Sequence, residues 1–405
     1  MTEFVVLGAG MVGVSTALAL QARGHAVTLL DRRSPGRETS FGNAGILQAE
    51  AAEPYALPLD ARSLGGILLG RTNDVTWTAG AVARSAPALL RYARNSLPAR
   101  HREISRTYAR LTGRATRDHA PLIAAAGAED LIARDGFAEL YRDPAAFAAA
   151  EAGAARLSAR WGLRHRSLDG AAWRREEPAL TADPAGVIHW LDSWSCRDPG
   201  ALTAAYARLF ETRGGRIARG DAADLAQTAT GWQAGGVTAE QAVVALGPWS
   251  PQLLRRLGYR IAMVRKAGCH GHFRMPVPLR RPFLDAGAGV VAAQMRQGLR
   301  ITTGAALVAG APRADLRQLE HGRRSLAGIL PLGRRIEEGQ WSGTRPCLPD
   351  MLPLVGPAPR HHGLWFNFGH GHQGLTLGPT TAEILAALAE DGKAGYEPLI
   401  PAGRL

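Results

Sequence analysis

The chain has 405 residues, of which 46% are hydrophobic and 20% are charged, a composition that excludes a disordered protein and is typical of a soluble globular enzyme. The net charge is +13, but the arginines are spread along the whole chain and lysine occurs only at positions 266 and 393, so we expect no nucleic-acid partner. Three widely spaced cysteines (Cys196, Cys269 and Cys347) form no C-x-x-C pair, so the sequence indicates neither a disulfide framework nor a zinc site and fits a reducing cytoplasm.

Two apolar stretches bear on membrane contact. No run of eighteen apolar residues occurs, so we expect no membrane-spanning segment. Residues 64–69 and 86–92 are apolar and have Arg71, Arg84, Arg91 and Arg94 nearby, a pattern typical of either an interfacial patch or a core helix beside an active site. We favour the core helix and keep peripheral contact with an inner membrane as the alternative.

The N-terminus contains a nucleotide-binding pattern. Residues 4–31 have the order strand, glycine turn, helix and strand, which is one βαβ unit. The turn reads G-x-G-x-x-G, and its predicted cofactor contacts are Gly8, Gly10, Met11, Val12 and Gly13. In this motif the glycines permit the turn, let a pyrophosphate approach the helix N-terminus and allow close helix packing. Asp31 ends the second strand, where it would bind the adenosine ribose, so the pattern predicts a dinucleotide.

The motif alone leaves the dinucleotide open. Arg32 and Arg33 follow Asp31, and arginines at this place are suited to a 2′-phosphate. An NADP-dependent dehydrogenase is therefore an alternative to a flavoenzyme at this point.

The middle of the chain mixes helical and strand patterns. Residues 76–194 are mainly helical, with alanine-rich stretches at 79–92, 102–126 and 144–161. Residues 261–308 instead alternate short strand-like pieces with Gly and Pro, which predicts an antiparallel sheet.

The α/β character returns in two places. A helix over 199–213 leads to a strand at 242–246, and the C-terminus reads as a strand at 364–368, a glycine loop and a helix. Pro379 is suited to the first turn of that helix and Gly392 to its end. A discontinuous nucleotide domain with other material inserted is the simplest interpretation.

Residues 38–47, which read ETSFGNAGIL, resemble the segment after the second strand in the D-amino-acid oxidase superfamily. Small residues let the backbone lie against a flat ring and supply donors in a row. The resemblance implies that hydroxyls and backbone amides of this segment contact flavin and pyrophosphate. The predicted contacts are Thr39, Ser40, Asn43, Ala44, Gly45 and Ile46, together with Arg32 beside them.

Two later segments resemble the same superfamily. Residues 243–250 (VVALGPWS) resemble its strand ending in A-x-G-x-W-S, which implies cofactor contacts from Gly247 and Trp249. Residues 341–356 and 369–376 resemble the C-terminal signature of the D-amino-acid dehydrogenase branch. In relatives the loop before the last helix directs amides toward flavin N1 and the C2 carbonyl, where they stabilise negative charge. The contacts so implied are Gly371, His372, Gln373, Gly374, Leu375 and Thr376.

Arg345 is the predicted substrate anchor. Pro346 biases it toward an extended conformation, and a guanidinium can bind a carboxylate through two parallel hydrogen bonds. In glycine oxidase and D-amino-acid oxidase, which this region resembles, the arginine of the G-x-R-P motif binds the substrate carboxylate. The alternative role is an interdomain salt bridge.

Two histidines are candidates for proton transfer. Residues 266–272 resemble a strand that reads K-x-G-Y-H-x-H in many relatives, with Cys269 in place of the tyrosine. His270 and His372 are the candidate catalytic residues, since imidazole titrates in the range needed to deprotonate an amine. We expect no metal, because no third ligand accompanies His270 and His272.

The resemblance covers essentially the full length. It implies an α/β (α+β overall) fold with a discontinuous Rossmann-like FAD-binding domain (1–75, 195–258 and 340–405) and an interleaved substrate-binding domain of antiparallel sheet plus helices (76–194 and 259–339). It further implies non-covalent FAD and oxidation of an amino acid, with D-amino acids favoured and electrons passed to a quinone or another acceptor. The alternative is a glycine- or sarcosine-type oxidase that uses oxygen.

Overall fold

The computed structural model describes residues 1–60, 65–66, 75–308, 310 and 316–405. Apart from Gly65 and Gly66, the apolar segment 64–69 and the neighbouring Arg71 lie outside these residues. Within the described ranges, no helix is both long and apolar enough to cross a membrane.

Strands and helices of both predicted kinds make up the chain. In chain order the strands are β1 (Glu3–Leu7), β2 (Ala26–Asp31), β3 (Ile46–Leu47), β4 (Val75–Thr76), β5 (Ile132–Ala133), β6 (Phe137–Tyr141), β7 (His165–Asp169), β8 (Gly186–Trp190), β9 (Trp194–Cys196), β10 (Arg216–Arg219), β11 (Ala226–Gln227), β12 (Trp232–Ala234), β13 (Val237–Ala239), β14 (Gln241–Val244), β15 (Val264–Phe273), β16 (Phe283–Asp285), β17 (Val290–Met295), β18 (Gly298–Thr302), β19 (Ala305–Leu307), β20 (Trp341–Cys347), β21 (Leu354–Pro357) and β22 (Leu364–Phe368). The helices are α1 (Met11–Ala22), α2 (Ala79–Asn95), α3 (Pro98–Thr112), α4 (Ala115–Ala125), α5 (Pro144–Trp161), α6 (Gly170–Glu176), α7 (Pro199–Thr212), α8 (Ser250–Arg255), α9 (Leu316–Ala327) and α10 (Gly374–Asp391).

A six-stranded sheet holds the N-terminal nucleotide motif. Its spatial order is β10-β2-β1-β14-β22-β21, and every pair is parallel except the last. Alternate residues of β1 face opposite layers: Phe4 and Val6 pack with α1, α7 and α10, whereas Val5 and Leu7 pack with Trp232 and the small sheet β11-β12-β13. Since the side chains of a strand alternate between faces, both faces of this sheet are covered, as expected for a parallel sheet.

A ten-stranded sheet forms the other half of the molecule. Its order is β4-β19-β15-β18-β17-β16-β6-β8-β7, and β20 pairs with β15 outside this path. Strands β15 to β19 pair with one another in antiparallel fashion, which confirms the antiparallel sheet predicted for residues 261–308. Strand β20 joins this sheet, although the sequence division grouped residues 340–405 with the FAD-binding segments.

The structure adds detail to two predicted helical stretches. Residues 102–126 fall in two helices, α3 and α4, separated at Gly113, since glycine is a poor helix former. Helix α10 begins at Gly374, so Pro379 lies in its second turn and the prediction of a first-turn proline was wrong. Gly392 does end the helix, in the left-handed conformation with φ 68°.

A histidine compensates for the proline inside α10. Proline has no N–H and cannot bond to the carbonyl four residues earlier, which is that of Leu375. The Nε2 of His119, on α4, lies 2.9 Å from that carbonyl oxygen, and its Nδ1 lies 2.9 Å from the hydroxyl of Tyr206 on α7. Burial lowers the pKa of His119 to about 4, so the neutral ring donates to Leu375 and accepts from Tyr206.

Candidate functional site

One cavity of about 1630 Å³ lies between the two large sheets. Gly8, Gly10 and Asp31 of the six-stranded sheet line one part, and Lys266 and Arg345 of the ten-stranded sheet line another. Small-molecule pockets are usually about 300–1000 Å³. The cavity therefore has room for a dinucleotide and a small substrate together.

The glycine loop has the geometry that its motif requires. Gly8 adopts φ 108°, and a Cβ on Gly13 would lie 1.7 Å from the Gly8 carbonyl oxygen. At Gly10, which precedes α1, a Cβ would meet nothing closer than Ser40 Oγ at 3.4 Å. Gly10 therefore borders open space at the positive end of a helix, which suits a pyrophosphate.

The acidic residue after the second strand lies beside this loop. Its carboxylate accepts hydrogen bonds from the backbone N–H of Ala9 at 2.7 Å and of Arg33 at 2.8 Å. A carboxylate offers about four acceptor sites, so Asp31 retains capacity for ribose hydroxyls.

Two arginines follow Asp31, and a carboxylate already pairs with both. Arg32 and Arg33 each lie 3.2 Å from Oε1 of Glu38, and the Arg32 guanidinium lies 4.8 Å from the ring centre of Trp249. The negative charge of Glu38 disfavours a 2′-phosphate here. This geometry argues against the NADP alternative.

A buried arginine holds the loop predicted to face the flavin. Arg300, on β18, is 3% exposed and its Nη1 donates to the carbonyl oxygens of Phe41 at 3.1 Å and Asn43 at 2.5 Å. Its Nε donates to His272 Nε2 at 2.9 Å. Sequence reasoning missed this residue, because a single arginine in a short strand has no distinguishing pattern.

The loop before α10 meets the same region. Thr376 Oγ1 donates to the carbonyl oxygen of Ile46 at 3.2 Å and accepts from the backbone N–H of Gln48 at 3.3 Å. Gln373 Nε2 donates to Gln48 Oε1 at 3.0 Å. These bonds fix the N-terminus of α10 against β3 at the cavity wall.

Most predicted site residues line the cavity. Those that do are Gly8, Gly10, Met11, Val12, Asp31, Arg32, Thr39, Ser40, Asn43, Ala44, Ile46, Gly247, Trp249, Arg345, Gly371, His372, Gly374 and Leu375. Those that lie behind the wall are Gly13, Gly45, His270, Gln373 and Thr376.

Arg345 projects from β20 into the cavity. Its Nη1 donates to the Gly304 carbonyl oxygen at 2.7 Å and its Nη2 to that of Thr303 at 3.1 Å. Over the described ranges, no carboxylate lies within 4.0 Å of its guanidinium, so the interdomain salt bridge is not formed there. Burial lowers the pKa of Arg345, which marks it as a desolvated cation without an anionic partner.

A second cation, which sequence reasoning did not assign a role, lies opposite. Lys266 on β15 is the direct register partner of Arg345, and directly opposed residues of an antiparallel pair point to the same face. Both line the cavity. The Lys266 Nζ lies 5.0 Å from the ring centre of Tyr92, a cation–π distance.

His372 is a neutral imidazole at the cavity wall. Burial, assisted by the charges of Arg345 and Lys266, lowers its pKa to about 3. Its Nε2 has no hydrogen-bond partner among the described residues, and its ring lies 5.3 Å from that of Tyr55. The ring is therefore uncharged at neutral pH, and its Nε2 is buried rather than exposed to the cavity.

His270 is separated from the cavity. Its ring stacks on Trp341 at 4.9 Å between ring centres, and Trp341 is the residue that lines the cavity. Burial lowers the pKa of His270 to about 2, with help from Arg300 and His272. In the described part of the chain, no group of three His, Cys, Asp or Glu side chains could hold a metal ion.

A buried carboxyl group behind the cavity was also missed. Glu50 is 7% exposed and accepts hydrogen bonds from Ser193 Oγ and, at 2.8 Å, from Gln48 Nε2. Burial raises its pKa to about 7. Because Gln48 lines the cavity, only the Gln48 side chain separates Glu50 from a ligand that would contact Gln48.

Comparisons with known proteins agree with this geometry. The model of the DAO family, described as FAD dependent oxidoreductase, matches residues 3–388. A D-amino-acid oxidase of Bradyrhizobium diazoefficiens is 30% identical over 98% of this chain and 96% of its own length, and a D-amino acid dehydrogenase 2 of Ralstonia nicotianae is 31% identical over 95% and 96%.

Solved structures show the same fold at lower identity. The crystal structure of glycine oxidase from Geobacillus kaustophilus has a TM-score of 0.73 at 20% identity and covers 99% of this chain and 98% of its own. An L-amino acid deaminase from Proteus vulgaris has a TM-score of 0.74 at 18% identity, with coverage of 100% and 97%. The predicted fold class, a mixed α/β fold of flavoenzyme type, is thereby confirmed.

Proposed function

Because the chain belongs to the FAD-dependent oxidoreductase family, we propose that it oxidises amino acids, with D-amino acids as the preferred substrates. The observation that supports this most is Arg345, whose guanidinium has no carboxylate partner among the described residues and shares one cavity with the dinucleotide loop. A bidentate guanidinium is suited to an α-carboxylate. The names of the relatives, D-amino-acid oxidase and D-amino acid dehydrogenase, agree with this substrate class.

The cavity residues fit FAD. Gly10 and the N-terminus of α1 would hold the pyrophosphate, Asp31 the ribose, and the loops 39–46 and 371–376 the flavin ring. The open space at Gly10 and the spare acceptor capacity of Asp31 support this placement. When bound, FAD supplies a two-electron acceptor that takes a hydride from the substrate.

The protein side chains orient the substrate and manage its proton. Arg345 binds the carboxylate and so fixes the direction of the Cα–H bond, which is the main requirement of such a transfer. We assign the amine proton to His372 rather than His270, because His372 lines the cavity whereas His270 lies behind Trp341. A bound carboxylate offsets the cationic charges that help to lower the pKa of His372, so binding makes the ring a better base.

We propose further that the electrons pass to a quinone or another carrier and that the protein touches a membrane peripherally. Leu90 and Leu97 are 72% and 48% exposed, and Arg91 and Arg94 beside them are also exposed. Apolar residues flanked by arginines suit an interfacial contact. The domain division given above also stays a proposal.

The test is anaerobic mixing of the purified protein with single amino acids of both hands, and with glycine and sarcosine. We expect D-amino acids to abolish the absorbance of the oxidised flavin in the unaltered protein. In Arg345→Ala that still contains FAD, we expect this absorbance to remain. Reduction by glycine or sarcosine followed by rapid reoxidation in air would favour the oxidase alternative. A flavin that no amino acid reduces would refute the substrate class.

A further inference from the structure

The substrate part of the cavity contains more positive charge than one carboxylate can balance. Arg345 and Lys266 both line it, and neither pairs with an acidic side chain in the described ranges. A D-amino acid with a neutral side chain brings a single carboxylate, which would leave one cation without a partner. Unpaired charge in a partly buried site is costly.

The two cationic groups diverge from their opposed backbone positions. The Arg345 guanidinium lies over Gly268, since a Cβ there would meet Nη2 at 2.8 Å, and it bonds to Gly304 and Thr303. Lys266 instead directs its Nζ to the ring of Tyr92 on α2. Positions two residues apart on a strand are separated by about 6.6 Å. The charges therefore suit two separate carboxylates rather than one.

The Lys266 ammonium has donor capacity to spare. An ammonium has three donors, yet within the described ranges the Lys266 ammonium forms no hydrogen bond or ion pair and lies against the face of Tyr92. The side chain lies between Arg345 on one neighbouring strand and Leu307 on the other. It lies on the ten-stranded sheet, whereas the proposed pyrophosphate site is next to β1 of the six-stranded sheet, so we do not assign it to the FAD phosphates.

Building on the proposed function, the geometry points to an acidic D-amino acid as the substrate. Arg345 binds the α-carboxylate and Lys266 binds the side-chain carboxylate of a four- or five-carbon acid, the class that contains D-aspartate and D-glutamate. The aromatic face of Tyr92 keeps the ammonium in place. Lys266 is thus a specificity-determining residue for this reaction.

Steady-state kinetics on the FAD-loaded protein test this directly. D-glutamate and D-glutamine have the same size and differ in side-chain charge, so the ratio of their kcat/KM values reports the second anion contact. We expect this ratio to exceed one in the unaltered protein and to fall about 10- to 100-fold in Lys266→Met, since a hydrogen bond to a charged group is lost. Met keeps the length of the side chain and its contact with an aromatic ring.

A matched control and a binding assay separate the possible outcomes. Lys393→Met removes the only other lysine, which is exposed, and should leave the ratio unchanged. Glutarate and pentanoate lack the amine and are not oxidised, so flavin absorbance changes report their Kd values. Lys266→Met should weaken glutarate relative to pentanoate.

The failures are distinguishable. If D-glutamine is oxidised as well as D-glutamate and Lys266→Met lowers both equally, the inference is wrong while the proposed function stands. If neither is oxidised and D-alanine is also inert, the proposed function fails; glutarate binding that still depends on Lys266 would then show a dicarboxylate site of another purpose.

Discussion

Replacing Arg300 by Met should weaken FAD binding strongly and destabilise the fold by less than its lost hydrogen bonds alone suggest. The variant removes both hydrogen bonds to the loop that contains Gly42. When the carbonyls of Phe41 and Asn43 are released, binding FAD has to order those two residues again, which costs about 1–2 kcal/mol each. We therefore expect the Kd for FAD to rise about 30- to 700-fold.

The effect on the fold is smaller than the lost hydrogen bonds alone suggest, because two contributions oppose each other. Three hydrogen bonds from a charged donor, two to the loop and one to His272 Nε2, stabilise by about 4–9 kcal/mol together. Burial lowers the pKa of Arg300 to about 10, against an ordinary value of 12.5 or more, which corresponds to roughly 3 kcal/mol against the charged form. The net loss of unfolding free energy is therefore about 1–6 kcal/mol.

The assay is titration of the apoprotein with FAD, followed by flavin fluorescence, with thermal unfolding of the same samples. Arg300→Lys keeps the charge but not the planar arrangement of donors. Its Kd for FAD should therefore lie between those of the unaltered protein and Arg300→Met. An Arg300→Met protein that binds FAD with the original Kd would show that the 41–43 loop needs no anchor, and would refute this reasoning.

Three further outcomes follow from single contacts. Gly13→Ala places a Cβ 1.7 Å from the Gly8 carbonyl oxygen and should abolish folding. Gly10→Ala should fold but bind FAD at least about tenfold more weakly, because its Cβ enters the cavity. Similar melting curves for the two variants would contradict this. His119→Phe leaves the Leu375 carbonyl unpaired and should lower the free energy of unfolding by about 1–3 kcal/mol in urea titrations, while an unchanged midpoint would show that water replaces the ring. Acidification should destabilise the protein, because five histidines have pKa values lowered by burial to between about 2 and 4: His119, His270, His272, His370 and His372. Below pH 6.5 the unfolded chain binds more protons than the folded one, so Tm should fall from pH 7 to pH 5 despite the opposite trend of Glu50, and a flat profile would refute the burial argument.

The parts of the site that could be predicted are those with a local cause. The glycine spacing around Gly10 encodes a turn and a close approach, and Pro346 makes Arg345 extended, so each could be inferred from a few adjacent residues. Lys266 could not, because its role depends on the register that places it opposite a residue 79 positions later. Arg300 and Glu50 acquire their roles from burial among distant segments, which no local pattern reports.

The proline in α10 also shows that a local sequence pattern can be overridden by a distant contact. The residue type is visible in the sequence and its helix-breaking tendency is well founded, yet the helix continues through Pro379 because His119 takes the released carbonyl. A ring 260 positions away thus decides where the helix begins.

The strand order of the six-stranded sheet has a consequence for synthesis on the ribosome. β1 is made first, but the residues of β14 that pair with it come 237 positions later in the chain. β14 in turn pairs with β22 at residues 364–368, which is made later again. Long-range parallel pairing is slow to form, so a nascent chain exposes unpaired strand edges until its last tenth emerges. The loop 371–376 and helix α10, which would hold the flavin ring, are synthesised after β22. A truncated chain would therefore bind no flavin and stay colourless. The yellow colour of bound flavin thus indicates that synthesis is complete.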